Sequence, residues 1–357
     1  MVIKMFQKAS KIKLIVIMLL VLTLLSFVFI WNRLQITNVM AEQSFTWIDF
    51  DVTQSAMNQA LQLDMESHNS ENPVNWIEML AYLGEKYGGD FNRYKSKDLY
   101  NLYSQCQAGT AIDQLAQDNK LKYFDYYLTA YDAVLGGMAG NYLLQLKDEQ
   151  NNDLSNIETK YGLKAYFPIA EGFGFSHYND FGNSRSFGFR RSHQGHDLFG
   201  QIGTPIVAVE SGTVETLGWN QYGGWRIGIR SLDKKRYYYY AHLRKNHPYH
   251  PDMKEGTFVQ AGDVIGYLGM TGYSNTENVN GMNHPHLHFG MEIIPEGSER
   301  ESNSEIWINT YEIIKILQRH KSTVERNDET KEYNRKFNFL DIDLLNNYEY
   351  LNSINNR

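Results

Sequence analysis

Uncharged and mostly apolar residues run without interruption from Leu14 to Trp31. A helix of that length would rise about 27 Å, close to the hydrocarbon thickness of a bilayer, so residues 14–31 are predicted to span a membrane. Lysines precede the run and a single Arg33 follows it, which favours a cytoplasmic start and an exported remainder. A signal peptide cleaved after Ala41 is the alternative, although the apolar run is longer than a usual signal core.

The pattern from residue 42 to residue 160 is predominantly that of amphipathic helices. A stripe of large apolar side chains recurs at spacings of four, three and four and ends at a glycine pair; its members are Trp76, Leu80, Leu83 and Tyr87. Such stripes are typical of a helical core, and no residue of this region carries predicted chemistry. We therefore predict that residues 42–160 form a helical domain of unknown role.

From residue 161 onwards, short β-rich runs separated by glycines replace the helical pattern. Their residue types and glycine punctuation predict an antiparallel β domain over residues 161–310. The runs are TPIVAVE, GTVETLGW, GWRIGIR, RYYYYAHL, GDVIGYLG and HLHFGMEII. A further helix is predicted from Ile308 to His320, and residues 311–357 are predicted to be a helical or polar C-terminal tail. The predicted fold class is α+β, with a membrane helix, a helical domain and an antiparallel β-sheet domain.

Composition excludes several classes of protein. The 357 residues include 42% hydrophobic and 14% aromatic side chains, which is enough to bury the cores of two domains. A formal net charge of -7 argues against a nucleic-acid-binding protein, which would carry a basic patch, so no nucleic-acid partner is predicted. The single cysteine, Cys106, excludes an intramolecular disulfide and a cysteine zinc cluster.

Histidines are concentrated in the predicted β domain, where eight of the eleven lie between His193 and His288. Because side chains alternate along a strand, His286 and His288 lie on the same face. Two imidazoles on one face indicate a metal site, a catalytic pair or both. Together with Asp197, the histidines provide a ligand set that suits zinc with one coordination position open for water.

Five sequence blocks follow one another in an order that resembles the lysostaphin-like zinc peptidoglycan endopeptidases. The blocks are FGNSR, HQGHDLFGQIGTPIVAVESGTV, YYYYAHL, VQAGDVIGYLGMTG and PHLHFG. The resemblance runs from Phe181 to Ile294. It implies a β-sheet metallopeptidase domain with an open groove, which hydrolyses peptide bonds of bacterial peptidoglycan through a metal-activated water.

The resemblance also implies roles for five residues. It implies one zinc ion, Zn²⁺, per catalytic domain, bound by His193, Asp197 and His288. It implies that His242 and His286 are catalytic and act beside the metal, where imidazoles exchange protons with the reacting groups near neutral pH. The spacing of these residues does not by itself assign the roles.

Two further residues are candidates for contact with the substrate. Alternation along RYYYYAHL puts Tyr238, Tyr240 and His242 on one strand face, so Tyr240 is expected to border the metal site. Arg185 lies in a block that resembles the family's arginine-bearing stretch and is expected to orient a loop or the substrate. Residues 273–284 form a long connection that is expected to wall the substrate groove.

The predicted protein is a single-pass protein of the bacterial cell membrane whose extracytoplasmic domain cuts the stem peptide or cross-link of peptidoglycan. Secretion after signal cleavage is the alternative location. A catalytically silent scaffold that binds the cell wall or activates another hydrolase is the alternative function, and a structural role of the helical domain is a second one. All five positions expected of a metallopeptidase are filled, which favours the enzyme.

Overall fold

The computed structural model describes four stretches of the chain: residues 50–145, 157–187, 189–295 and 305–345. Within these stretches no helix has the length and apolar character needed to cross a bilayer. The predicted membrane segment, residues 14–31, and the alternative cleavage site at Ala41 lie outside the described residues.

Five α-helices form the N-terminal part of the described chain. They are α1 (Gln54–Ser67), α2 (Trp76–Tyr87), α3 (Ser96–Gln107), α4 (Ile112–Asp118) and α5 (Phe124–Leu135). Helix α2 carries the predicted apolar stripe, and all four of its members are buried. The helix begins after Asn75, whose side-chain oxygen accepts hydrogen bonds from two backbone N–H groups of the first turn. It ends at Gly88, which adopts the left-handed conformation with φ 66° that glycine accommodates without steric cost.

The strands that follow are antiparallel, which confirms the predicted mixture of helices and antiparallel sheet. They are β1 (Ala139–Gln145), β2 (Ile157–Leu163), β3 (Phe175–His177), β4 (Ser184–Phe187), β5 (Phe189–Ser192), β6 (His196–Gly200), β7 (Pro205–Val207), β8 (Gly212–Asn220), β9 (Gly224–Ser231), β10 (Arg236–Ala241), β11 (Phe258–Val259), β12 (Val264–Tyr267), β13 (His286–Ile293), β14 (Ile306–Trp307), β15 (Val324–Arg326), β16 (Tyr333–Arg335) and β17 (Asn338–Asp341). Two short helices complete the described chain, α6 (Tyr311–Leu317) and α7 (Ile342–Leu345).

In the part of the chain that the structure describes, the main sheet has eight strands. Seven of them follow the order β11-β8-β9-β10-β13-β6-β3, and β14 pairs with β13. The central strands β10, β13 and β6 each come from one of the histidine-bearing blocks of the sequence. The sheet therefore brings together residues that are almost a hundred positions apart in the chain.

The region predicted to be helical through residue 160 ends in two strands instead. Strands β1 and β2 pair with each other, and Gly136 and Gly137 separate them from the last helix of the group. Tyr142 and Leu144, two positions apart on β1, both pack against a buried cluster that includes Phe339. This alternation is a strand pattern, but it is too short to outweigh the helical pattern that precedes it.

The predicted C-terminal tail is part of the fold as far as residue 345. Strand β15 pairs with β16, and β17 pairs with β1, with Asp341 opposite Tyr142. The Nζ atom of Lys164, which is buried, lies 2.8 Å from Asp341 Oδ1. A buried ion pair and the buried ring of Phe339 thus anchor a segment whose polar composition resembles that of a free tail.

A buried arginine joins the helices to the main sheet. Arg236 on β10 is completely buried, and its Nε donates to Glu210 Oε2 at 2.9 Å. Its Nη1 donates to the carbonyl oxygen of Ala133 on α5 at 2.8 Å, and its Nη2 donates to Asp233 at 2.7 Å. The helical region is therefore bonded to the sheet through a charged side chain that water does not reach.

Candidate metal centre

The register of two neighbouring strands places the candidate ligands side by side. On β6 and β13, His288 lies opposite Asp197, and His286 lies opposite Phe199. Directly opposed residues of an antiparallel pair lie on the same face of the sheet. His193 lies three residues before β6, and its side chain reaches the same cluster.

Three ligand atoms form a nearly equilateral triangle. His193 Nε2 lies 3.1 Å from Asp197 Oδ1 and 2.9 Å from His288 Nδ1. The third side, from His288 Nδ1 to Asp197 Oδ1, measures 3.1 Å. Since zinc binds nitrogen and oxygen ligands at about 2.0–2.2 Å, a single ion reaches all three atoms at once. The residues implied as ligands by the sequence resemblance therefore fit a metal site.

Asp180 holds His193 in the orientation that a metal ligand needs. The Nδ1 atom of His193 lies 3.1 Å from the carbonyl oxygen of Asp180 and 3.2 Å from its Oδ2. An N–H at Nδ1 therefore donates to Asp180, so that Nε2, once a metal ion has displaced its proton, directs its lone pair at the cluster. Asp180 is completely buried, and sequence reasoning missed it. The available signal was its position directly before the FGNSR block.

Arg185 contacts the acidic groups of the site. Its Nη2 donates to Asp180 Oδ2 at 2.7 Å and to Asp197 Oδ2 at 3.2 Å. The side chain thus orients both carboxylates, whereas the sequence left open whether it orients a loop or the substrate. Its charge also offsets part of the negative charge that two neighbouring carboxylates concentrate in a buried region.

The electrostatics of the cluster favour a positive charge at its centre. Burial lowers the pKa of His193, but hydrogen bonds to Asp180 and Asp197 outweigh burial and raise this pKa to about 9. Burial raises the pKa of Asp197, but hydrogen bonds from His193 and His288 outweigh it and hold the pKa well below the usual range. Asp197 is therefore ionised at neutral pH. A divalent cation supplies the positive charge that such a group of ligands attracts.

The two remaining histidines lie beside the triangle. The ring centroid of His242 is 4.7 Å from that of His286 and 5.9 Å from that of His288. His242 Nδ1 donates to the carbonyl oxygen of Thr271 at 2.7 Å, so its Nε2 is the nitrogen with the free lone pair. Burial lowers the pKa of His242 well below its usual value, which keeps the ring neutral. His286 Nδ1 lies 2.8 Å from the carbonyl oxygen of His284, and its Nε2 lies 3.8 Å from Asp197 Oδ1.

Tyr240 does not border this site, contrary to the expectation from strand alternation. It pairs with Phe289 on the opposite face of the sheet, is completely buried, and its hydroxyl accepts a hydrogen bond from Val209 N at 2.9 Å.

Strand β10 ends at Ala241, and His242 has a φ of 60°, in the left-handed region. Alternation stops at this backbone turn, which brings His242 to the metal side. Tyr239 lies on that side, and its ring centroid is 5.9 Å from that of His288.

A wall of aromatic residues stands next to His242. The ring of Tyr273, the first residue of the long connection, lies 6.1 Å from that of His242. It stacks on Phe187 of β4 at 5.3 Å, so the β4–β5 hairpin and residues 273–284 meet on this side of the site. These contacts place the start of residues 273–284 beside His242, where the sequence predicts a wall of the substrate groove; the groove itself stays a prediction.

Replacing Gly195 by alanine is expected to weaken zinc binding about 10- to 100-fold, the usual effect of disturbing the surroundings of a metal ligand. A Cβ atom at this position would lie 2.5 Å from His288 Cε1 and 2.9 Å from the carbonyl oxygen of Phe289. The His288 ring must therefore move away from the triangle. Competition with a chromophoric chelator measures the zinc dissociation constant.

Gly174→Ala is the matched control, because a Cβ at Gly174 would have no heavy atom of the described residues within 4 Å. This variant is expected to bind zinc like the parent protein. Equal zinc affinities for the two glycine variants would show that Gly195 does not shape the site.

Residues 191–302 match Peptidase family M23. Over 125 residues the chain is 41% identical to an L-Ala–D-Glu endopeptidase from Bacillus subtilis, across 35% of this chain and 37% of that protein. It is 41% identical over 98 residues to lysostaphin from Staphylococcus staphylolyticus, across 27% of this chain and 18% of that protein. It is 35% identical over 99 residues to the peptidoglycan DD-endopeptidase ShyC from Vibrio cholerae, across 28% of this chain and 20% of that protein.

The matches to these relatives cover at most 35% of this chain. They span less than two fifths of the length of each of these relatives. The matched residues include the ligand triangle together with His242 and His286. The resemblance read from the sequence blocks is confirmed, and residues 191–302 form a domain of peptidase family M23.

Proposed function

We propose that this protein is a zinc-dependent endopeptidase that hydrolyses peptide bonds of bacterial cell-wall peptidoglycan. The observation that carries the proposal is the triangle of His193, Asp197 and His288, with His242 and His286 beside it. A site with three protein ligands and an open position is typical of catalytic rather than structural zinc. The names of two relatives, an L-Ala–D-Glu endopeptidase and a peptidoglycan DD-endopeptidase, support the substrate class.

His193 Nε2, His288 Nδ1 and Asp197 Oδ1 would hold the zinc ion. When bound, zinc supplies a Lewis acid that polarises a carbonyl oxygen and lowers the pKa of water. The protein contributes the arrangement around it: Asp180 and Arg185 fix the ligands, and hydrogen bonds from His193 and His288 keep Asp197 ionised.

His242 and His286 would move the protons. His242 is neutral and donates through Nδ1 to Thr271, so Nε2 is free to accept a proton from the attacking water. Nδ1 of His286 lies near the carbonyl oxygen of His284, which directs its Nε2 towards Asp197 and the site. Two imidazoles on one side of the scissile bond provide an acceptor for one proton and a donor for the leaving amine.

We further propose that the domain acts on the extracytoplasmic side of the membrane, anchored by residues 14–31. The lysine-rich start and the apolar run support this location. With a net charge of -7, the protein gains little long-range attraction to an anionic wall. Contacts close to the site should therefore decide which peptides bind.

Removing zinc is expected to abolish hydrolysis. The full chain, loaded with zinc, is incubated with purified muropeptides, and mass spectrometry follows the appearance of cleaved peptides. A chelator should stop the reaction, and added zinc should restore it. His288→Ala should show the same loss, because one corner of the triangle is then missing.

Two results would contradict the proposal. Hydrolysis that continues in the presence of the chelator would exclude the metal mechanism. Binding of muropeptides without cleavage by the zinc-loaded protein would instead support the catalytically silent scaffold.

A further inference from the structure

The β4–β5 hairpin presents a second arginine on the face that reaches the metal centre. Arg191 on β5 lies directly opposite Arg185 on β4, so the two side chains share a face of the hairpin. Arg185 donates to Asp180 and to the candidate ligand Asp197. The face that carries Arg191 is therefore the one turned towards the active site.

Two tyrosines hold the Arg191 guanidinium in a fixed position. Its Cζ lies 5.0 Å from the ring centroid of Tyr222 and 4.9 Å from that of Tyr273. Its Nη2 donates to the Tyr273 hydroxyl at 2.5 Å. Contacts of a cation with aromatic faces and a hydrogen bond together restrict the rotation of a long side chain. The Tyr273 ring also lies 6.1 Å from the ring of His242. Tyr273 therefore contacts both the Arg191 guanidinium and a candidate catalytic histidine.

The guanidinium has unused capacity to bind an anion. Its Nη1 is buried and has no hydrogen-bond partner among the residues that the structure describes. Arg191 also forms no ion pair with any carboxylate in the described parts of the chain, whereas Arg185 on the opposing strand contacts two. A buried, unpaired N–H of a charged group is unfavourable and is rare in folded proteins. Of the anionic groups common in peptides, the carboxylate fits a planar guanidinium best, because its two oxygens match the geometry of the N–H groups.

We propose that Arg191 binds a free carboxylate of the substrate peptide near the scissile bond and thereby selects peptides in which this group is not amidated. The proposal rests on the proposed function, because it places the peptide across the site between His242 and the hairpin. The carboxylate would accept from Nη1 and lie against the edge of the two tyrosine rings. Arg191 is thus a residue that determines specificity, while the proton transfers remain with the histidines.

A pair of stem peptides tests this proposal. The peptides differ only in one group near the cleaved bond, a free carboxylate in one and the carboxamide in the other. The zinc-loaded full chain is expected to cleave the carboxylate peptide with a kcat/KM about tenfold higher than that for the carboxamide peptide. This factor is typical of a hydrogen bond between charged groups. The difference should lie mainly in KM, because Arg191 contacts a group that does not react.

Arg191→Gln should lower kcat/KM for the carboxylate peptide about tenfold and leave the carboxamide peptide unaffected. Its zinc dissociation constant should equal that of the parent protein, which separates loss of recognition from damage to the metal site. Arg190→Gln is the matched control, because Arg190 is exposed and neighbours Arg191 on the same strand, facing away from it. This control should keep the full preference for the carboxylate peptide.

The outcomes separate this proposal from the proposed function. If the parent protein cleaves the two peptides with equal kcat/KM, the proposed role of Arg191 is wrong, whereas the proposed hydrolase function still stands. This comparison uses the parent protein alone, so it does not depend on whether Arg191→Gln folds. If neither peptide is cleaved, the proposed function fails, and calorimetric titration of the zinc-loaded protein with both peptides decides about Arg191. Tighter binding of the carboxylate peptide would support the proposal, and equal binding would overturn it.

Discussion

Replacing His242 by asparagine is expected to lower kcat by about 10²- to 10⁴-fold while the protein keeps its zinc, the range usual for loss of a general acid or base. None of the three ligand atoms belongs to His242, so the metal triangle should persist. Asparagine tolerates the φ of 60° at this position better than alanine does, and its amide can still donate to Thr271. The variant therefore removes the imidazole with little disturbance of the backbone.

Steady-state kinetics on muropeptides measure kcat of the His242→Asn variant, and competition with a chelator measures its zinc affinity. His247→Asn is the control, because His247 is half exposed and pairs with Glu332 rather than with the site. A His242→Asn variant that turns over at the parental rate would show that His286 alone carries the proton transfers. A variant that loses zinc would instead give His242 a structural role.

Replacing Arg236 by alanine is expected to lower the free energy of unfolding by about 3–5 kcal/mol, the usual cost of removing one partner of a buried ion pair. The change leaves the buried Glu210 carboxylate without its guanidinium and removes the hydrogen bond to Ala133 on α5. Urea unfolding followed by circular dichroism measures the loss. Because α5 is bonded to the sheet through this side chain, helix and sheet signals should weaken at lower urea concentration.

Arg230→Ala is the matched control for Arg236→Ala. Arg230 lies on the neighbouring strand β9 and pairs with Glu215, but both side chains retain contact with solvent. Removal of such a pair costs less than about 1 kcal/mol. Equal destabilisation by the two variants would contradict a special role of the buried arginine in joining helices to sheet.

Strand positions in the β domain could be predicted because each histidine block carries its own local pattern. Glycines separate the runs and β-branched or aromatic residues fill them, so the strands were predictable without knowledge of their partners. The shared face of His286 and His288 also followed from alternation alone. Tyr240 shows the limit of this reasoning, because the left-handed backbone at His242 breaks the alternation where the strand ends.

Other features depend on contacts between distant segments. Asp180 reaches the site from the connection between β3 and β4, and its role depends on the fold that brings it against His193. The strand pairing of β1 with β17 depends on residues almost two hundred positions apart. Neither segment has a strong local pattern, so the sequence predicted helix for one and a polar tail for the other.

The pairing of β1 with β17 bears on how the chain reaches its native state. Leu144 and Phe339 are paired across these two strands, and Phe339 fills the buried cluster that Tyr142 and Tyr166 also contact. During synthesis, β1 and its apolar neighbours emerge long before the strand that covers them. Closing so large a loop is entropically unfavourable and slows folding. The nascent polypeptide must therefore pass through a period in which this edge of the sheet is exposed.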